Sequence, residues 1–197
     1  MPGGRPRAFD PEAALDRALE VFWRQGYEGT AISDLTAAMG INRPSLYAAF
    51  GNKEELFRKV FDRYVDGPGG YAARALEALR AREVVERLVY GAIELTAGPA
   101  TPRGCLSVRC AQPGGPETDQ VRDEVVARRR AGEVALAARL TRAQEDGDLP
   151  AGCDPADLAR LVILLTDGIA VQAAGGASRD ELLRAAEVAL RNWPSER

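Results

Sequence analysis

"INRPSLYAAFGNKEELF", residues 41–57, decides how the rest of the chain is read. Asn42 is a good helix cap, proline at 44 is tolerated in a first turn, and Gly51 stops the helix after about two turns. Asn52 followed three residues later by Glu55 is the pattern that opens another helix. Within the short helix, Leu46 and Phe50 stand at i and i+4 and make one apolar face. Arg43, Ser45 and Tyr47 fall elsewhere on the surface, and no core needs them.

Upstream, Thr30 is expected to cap a helix with Ile32, Leu35 and Met39 on one face, closed by Gly40. A helix, a turn at Gly40 and a short helix give helix-turn-helix spacing over residues 31–50. In that arrangement the second helix lies in a DNA major groove. Arginine bonds phosphate or a guanine edge. Tyrosine packs on sugar or a thymine methyl while its hydroxyl reaches a phosphate. Arg43, Pro44, Ser45 and Tyr47 are therefore the candidate DNA-facing residues. Lys53 stands within reach of the backbone, and Thr30 and Ser33 are candidate phosphate contacts near a helix N-terminus.

Further back, Asp10-Pro11 caps a first helix whose Leu15, Leu19 and Phe22 form a stripe, ending at Gly26. Helix four carries Leu56, Phe57, Val60, Phe61 and Tyr64 and meets "DGPGG" at 66–70. That glycine-rich bend is the expected division between domains at 1–66 and 67–197. Beyond it the predicted helices cover about 71–80, 83–96, 105–111, 118–145, 154–174 and 178–192. The fold class is all-α, about nine helices.

Composition narrows the function classes. The 197 residues carry no histidine, which removes Ser-His-Asp triads, Cys-His dyads and histidine metal sites. Cys105, Cys110 and Cys153 form no zinc-type pair, so neither metal nor cofactor is expected. A thiol enzyme would need Asp or Glu as its base. Net charge is −3, and residues 1–64 hold nine Lys/Arg against nine Asp/Glu, so a nucleic-acid surface has to come from placement. No secretory signal and no run of 18 apolar residues is present. The expectation is a cytoplasmic protein with reduced thiols and no membrane partner.

The ordered pieces of "ALEVFWRQGYEGTAISDLTAAMGINRPSLYAAFGNKEELF", residues 18–57, resemble the TetR family of bacterial transcriptional regulators over about residues 8–64. The shared marks are an aromatic near Phe22, Gly26-Tyr27, Thr30, the Gly40 turn, Leu46-Tyr47, Phe50 and a Lys-Glu-Leu-Phe-like start to helix four. Many members carry an aromatic and a histidine where this chain has Ala48 and Ala49, which places more of the DNA contact on Arg43, Tyr47 and Lys53. Arg5 and Arg7 in the preceding arm are candidates for a minor groove or phosphate, or else belong to a solubilising tail.

The resemblance implies a homodimeric repressor-type regulator that binds double-stranded operator DNA and is released by an unidentified small-molecule inducer. It also implies a dimer interface built from the last two long helices. Leu161, Leu165 and Ile169, with Leu183, Ala186 and Leu190, recur at near-helical spacing there; the alternative is that they fill the chain's own core. Tyr90, Glu94, Thr166, Asp167 and Gln172 are polar candidates for a ligand cavity between helices.

"PRGCLSVRC", residues 102–110, adds a thiol at the expected start of a short helix, with Arg103 and Arg109 nearby. Some TetR-like regulators are similar in having Gly-Cys-Leu here, where the cysteine senses oxidants or electrophiles. That makes Cys105 and Cys110 candidate sensors, against the reading of buried structural thiols. About 7.5 Å of helical rise separates the two, which disfavours a disulfide within the helix. The alternatives to a regulator are a helical ligand-binding or scaffold protein without DNA binding, and a thiol-dependent enzyme.

Overall fold

The computed structural model describes residues 10–112, 115 and 119–194. Among them are ten α-helices and no strand: α1 Pro11–Gln25, α2 Ile32–Met39, α3 Arg43–Phe50, α4 Lys53–Asp66, α5 Tyr71–Ala75, α6 Ala81–Ala97, α7 Leu106–Cys110, α8 Asp119–Glu145, α9 Pro155–Ala174 and α10 Arg179–Arg191. Arg5 and Arg7 lie outside the described residues.

The caps read from the sequence set most of the boundaries. Asp10, Asn42, Asn52, Asp154 and Ser178 each accept a backbone N–H of the following turn. Gly40 ends α2 with φ of 69°, a left-handed conformation that glycine adopts without steric cost. Thr30 is the exception. Its hydroxyl donates to the Gly26 carbonyl at 2.6 Å and is buried. It satisfies the end of α1, and α2 starts after Ala31, whose N–H is held by Asp34 at 3.1 Å. The helix expected over 71–80 is also shorter. α5 ends at Ala75, and i→i+3 turns carry the chain to α6.

Helices α1–α4 close around Phe22, Leu35, Met39, Leu46, Leu56 and Val60, all 0–2% exposed. Phe57 stands edge-on to Phe22 and Tyr27 at 5.2 Å each. Truncating Leu46, with no exposed surface, would cost about 2–5 kcal/mol. Charged clamps hold the unit in shape: Arg63 of α4 pairs with Glu12 and Asp16 of α1, and Arg17 donates to the Met39 carbonyl at 3.1 Å. In the second half, α6 packs against α5, α9 and α10, and α8 packs along α9. Leu95 of α6, Leu106 and Cys110 of α7, and Val121 and Val125 of α8 join the N-terminal core. The two halves therefore share apolar contacts well beyond the α4 link.

Candidate functional site

Helix α3 presents two surfaces. Leu46 and Phe50 are buried against α2 and α4. Arg43, Pro44, Tyr47, Ala48 and Ala49 are exposed, Tyr47 by 47%. Ser45 is half-buried, and its N–H is held by Asn42 at 2.9 Å. The Lys53 ammonium lies 4.4 Å from the centroid of the Tyr27 ring, at the start of α4. Ser33 is exposed in the first turn of α2. Thr30 leaves this group, because its hydroxyl is committed to Gly26 inside the fold and cannot reach a phosphate.

Behind this unit, between α4, α5, α6, α7, α8 and α9, is a cavity in two parts. The larger part, about 600 Å³, is walled mainly by Phe61, Tyr64, Leu76, Leu88, Leu95 and Ile163. The smaller, about 150 Å³, adds Thr96, Thr166 and Asp167. Tyr71, Cys105, Ser107 and Arg129 line both. A methyl group on Gly91 would come within 2.2 Å of the Tyr71 ring, so glycine at 91 makes room for that ring.

A chain of polar contacts crosses the wall. The Tyr64 hydroxyl is 3.1 Å from Cys105 Sγ, and Sγ is 3.1 Å from Ser107 Oγ. Arg129 Nη1 donates to Ser107 Oγ at 3.2 Å, and Nη2 donates to Asp167 at 2.5 Å. Burial, with the nearby Cys105, raises the hydroxyl pKa of both Tyr64 and Tyr71.

The loop that carries Cys105 also touches α1. The Trp23 indole N–H of α1 donates to the Gly104 carbonyl at 2.8 Å, and its ring stands edge-on to Tyr64 at 4.9 Å. Arg58 of α4 grips Glu124 of α8 through Nε at 2.9–3.0 Å, and Arg128 pairs with Asp62 at 2.5 Å.

Several expected residues lie elsewhere. Tyr90, Glu94 and Gln172 do not line the cavity: all three are on the outer surface, and Glu94 pairs with Arg179. Thr166 does line it, with its hydroxyl turned back to the Val162 and Ile163 carbonyls. Cys110 is buried, and burial pushes its thiol up to about 11, away from thiolate chemistry. Arg103 bonds the Ala173 and Ala177 carbonyls, and the Arg109 stem packs at Gly26. The guanidinium that does connect to Cys105 is Arg129, through Ser107. Tyr64, Tyr71, Ser107 and Arg129 were not expected here. Each sits on a helix whose sequence pattern reads as core or as charged surface.

The expected dimer residues divide. Ile169, Ala186 and Leu190 are 0–4% exposed and pack in the chain's own core, so they have no face left for a partner. Leu165 and Leu183 are partly buried against the same core. Leu161 is 54% exposed and starts a row with Leu164 and Val171, at 64% and 55%, along one side of α9; Val188 of α10 is exposed too.

Comparison with known proteins places this architecture. Residues 14–60 match the family described as bacterial regulatory proteins, tetR family, and residues 81–189 match the tetracyclin repressor-like C-terminal domain. The chain belongs to the TetR family. The HTH-type transcriptional repressor ComR of Escherichia coli (strain K12) is 36% identical over 97% of this chain and 92% of its own length. BdcR, an HTH-type transcriptional repressor of the same strain, is 34% identical over 71% of this chain and 70% of its own. Among solved structures, a cysteine mutant of the TetR family regulator CifR, complexed with 26 bp operator DNA, is 43% identical. It superposes with a TM-score of 0.91, covering 96% of this chain and 100% of that one. As a TetR-family member the chain is a DNA-binding transcriptional regulator built on a helix-turn-helix and a helical C-terminal half. No helix among the described residues is long and apolar enough to cross a membrane.

Proposed function

We propose that this protein is a cytoplasmic homodimeric repressor, not an enzyme. It reads operator DNA with residues 1–66 and senses a small molecule or thiol modification with residues 67–197. The observation that carries the reading is α3: Arg43 and Tyr47 are exposed on a stub braced from behind by the fully buried Leu46. Pro44, Ser45, Ser33 and Lys53 surround them. The likeness to a chain solved on operator DNA supports this use of the surface.

Two such heads are needed, because one short helix buries too little DNA for useful discrimination. The exposed row Leu161, Leu164 and Val171 supports pairing of α9 with its copy. The cavity beneath α4 is the effector site, with Cys105 in its wall as the modifiable thiol. Occupation moves α4 and α7, and the paired heads lose the spacing of successive major grooves.

The test is a gel-shift titration of Arg43→Ala, Tyr47→Ala and the double variant on a palindromic operator first selected from random DNA with the wild-type protein, with helicity checked by circular dichroism. Each single change should weaken binding by about 1–3 kcal/mol. A folded double variant with wild-type affinity would remove α3 from the interface.

A further inference from the structure

The charges around the cavity are balanced pair by pair. Two guanidinium groups reach its wall, Arg128 and Arg129. Arg128 is held by Asp62, and Arg129 by Asp167, the only carboxylate among the described residues that line either part. An anionic guest would have to compete with Asp167 for Arg129 and sit beside it, whereas a cationic guest would face Arg129. Desolvating a charge with no partner is far costlier than burying a neutral polar group.

One polar group stands out among the described lining residues. Among the described residues the Tyr71 hydroxyl makes no hydrogen bond, although Cys105, Asp167 and Arg129 are its electrostatic neighbours. Held as a neutral phenol, it is a donor on the wall that the two parts share.

We infer that the cavity selects an uncharged, mostly apolar molecule carrying one hydrogen-bond-accepting oxygen. The apolar body occupies the 600 Å³ part among Phe61, Leu76, Leu88 and Ile163. The oxygen accepts from the Tyr71 hydroxyl beside Cys105. The Arg129–Asp167 pair is the specificity element, since it leaves no net charge for an ionic head group. This inference rests on reading the cavity as the effector site.

Matched probes test it on the DNA-free full chain by titration calorimetry: 2-acetonaphthone, 2-naphthoate and 2-naphthylmethylammonium, which share a ring system and differ in head charge. The single-ring set acetophenone, benzoate and benzylammonium runs in parallel, so that guest size does not decide the answer. In at least one set the ketone should bind at least about tenfold tighter than either ion. Tyr71→Phe should weaken the ketone about fivefold, the loss of one hydrogen bond. Asp167→Asn releases Arg129, so the carboxylate should gain about tenfold or more while the ketone changes little. Melting curves establish that both variants fold. A carboxylate that binds the wild type as well as the ketone does would overturn the inference. So would an unchanged carboxylate affinity in Asp167→Asn, or no ketone binding in either set. Operator release is scored separately. Ketone binding in the expected order without release leaves the inference standing and removes the effector reading.

Discussion

Replacing Trp23 with phenylalanine probes the contact between α1 and the Cys105 loop. The indole N–H donates to the Gly104 carbonyl at 2.8 Å, and both residues are buried. Phenylalanine removes the donor and leaves that carbonyl without its partner, at about 1–3 kcal/mol. The smaller ring adds a packing loss of about 1 kcal/mol, limited because a ring remains against Tyr64. The expected total is about 2–4 kcal/mol in urea unfolding, with an unchanged m-value. The functional consequence is separate. Gly104 immediately precedes Cys105, so a shift of that loop pulls on α1 through this bond. Trp23→Phe should keep most of its operator affinity at 15 °C but need a higher dose of thiol reagent or effector for release. Paired urea titrations and fluorescence-anisotropy release curves measure both. A loss under about 0.5 kcal/mol together with an unaltered release curve would refute the linkage.

Glu124 is held below its ordinary 4.5 by the hydrogen bonds from Arg58. A depressed carboxylate contributes stability that is complete above the unfolded pKa and disappears as pH falls through the folded one. Glu124→Gln should therefore be less stable than wild type at pH 7, and the two should converge below about pH 4; a gap that stays constant from pH 7 to 3 contradicts the pairing. On α9, Leu161→Glu with Val171→Glu should give a monomer by sedimentation at micromolar protein and a large loss of operator binding, whereas a dimer that persists would place the seam elsewhere. In a Cys153→Ser background, N-ethylmaleimide should label Cys105 well before Cys110 at pH 8, read by peptide mass. A thiol titrating near 11 instead of 9.0 holds about a hundredfold less thiolate there. Equal labelling rates would contradict that order.

Much of the fold was written locally. Asn42, Asn52, Asp154 and Ser178 announced helix starts because a cap acts within one turn, and it needs no tertiary information to be recognised. The outward residues of α3 were legible because Leu46 and Phe50, at i and i+4, mark its buried face. Thr30 reads as a cap of α2 because a hydroxyl can serve a following helix or a preceding one, and only the fold shows that it donates back to the Gly26 carbonyl. The cavity was less legible. Tyr64 looks like any core aromatic of α4, and Arg129 sits in "RRR" at 128–130, which reads as solvated surface. Their meeting beside Cys105 depends on how α4, α7 and α8 cross, and periodicity within one helix carries no record of that. Periodicity alone also ranked Ile169 and Leu190 with Leu161, although the first two face inward.

Gly91 has a consequence for the shape of the chamber. Because its lone hydrogen is what lets the Tyr71 ring settle against α6, the depth of the chamber hangs on a single backbone position. One added carbon there would push the phenol into the void and reduce the space beside it, while the exposed residues of α3 stayed as they are. A change at residue 91 thus alters the chamber without touching α3.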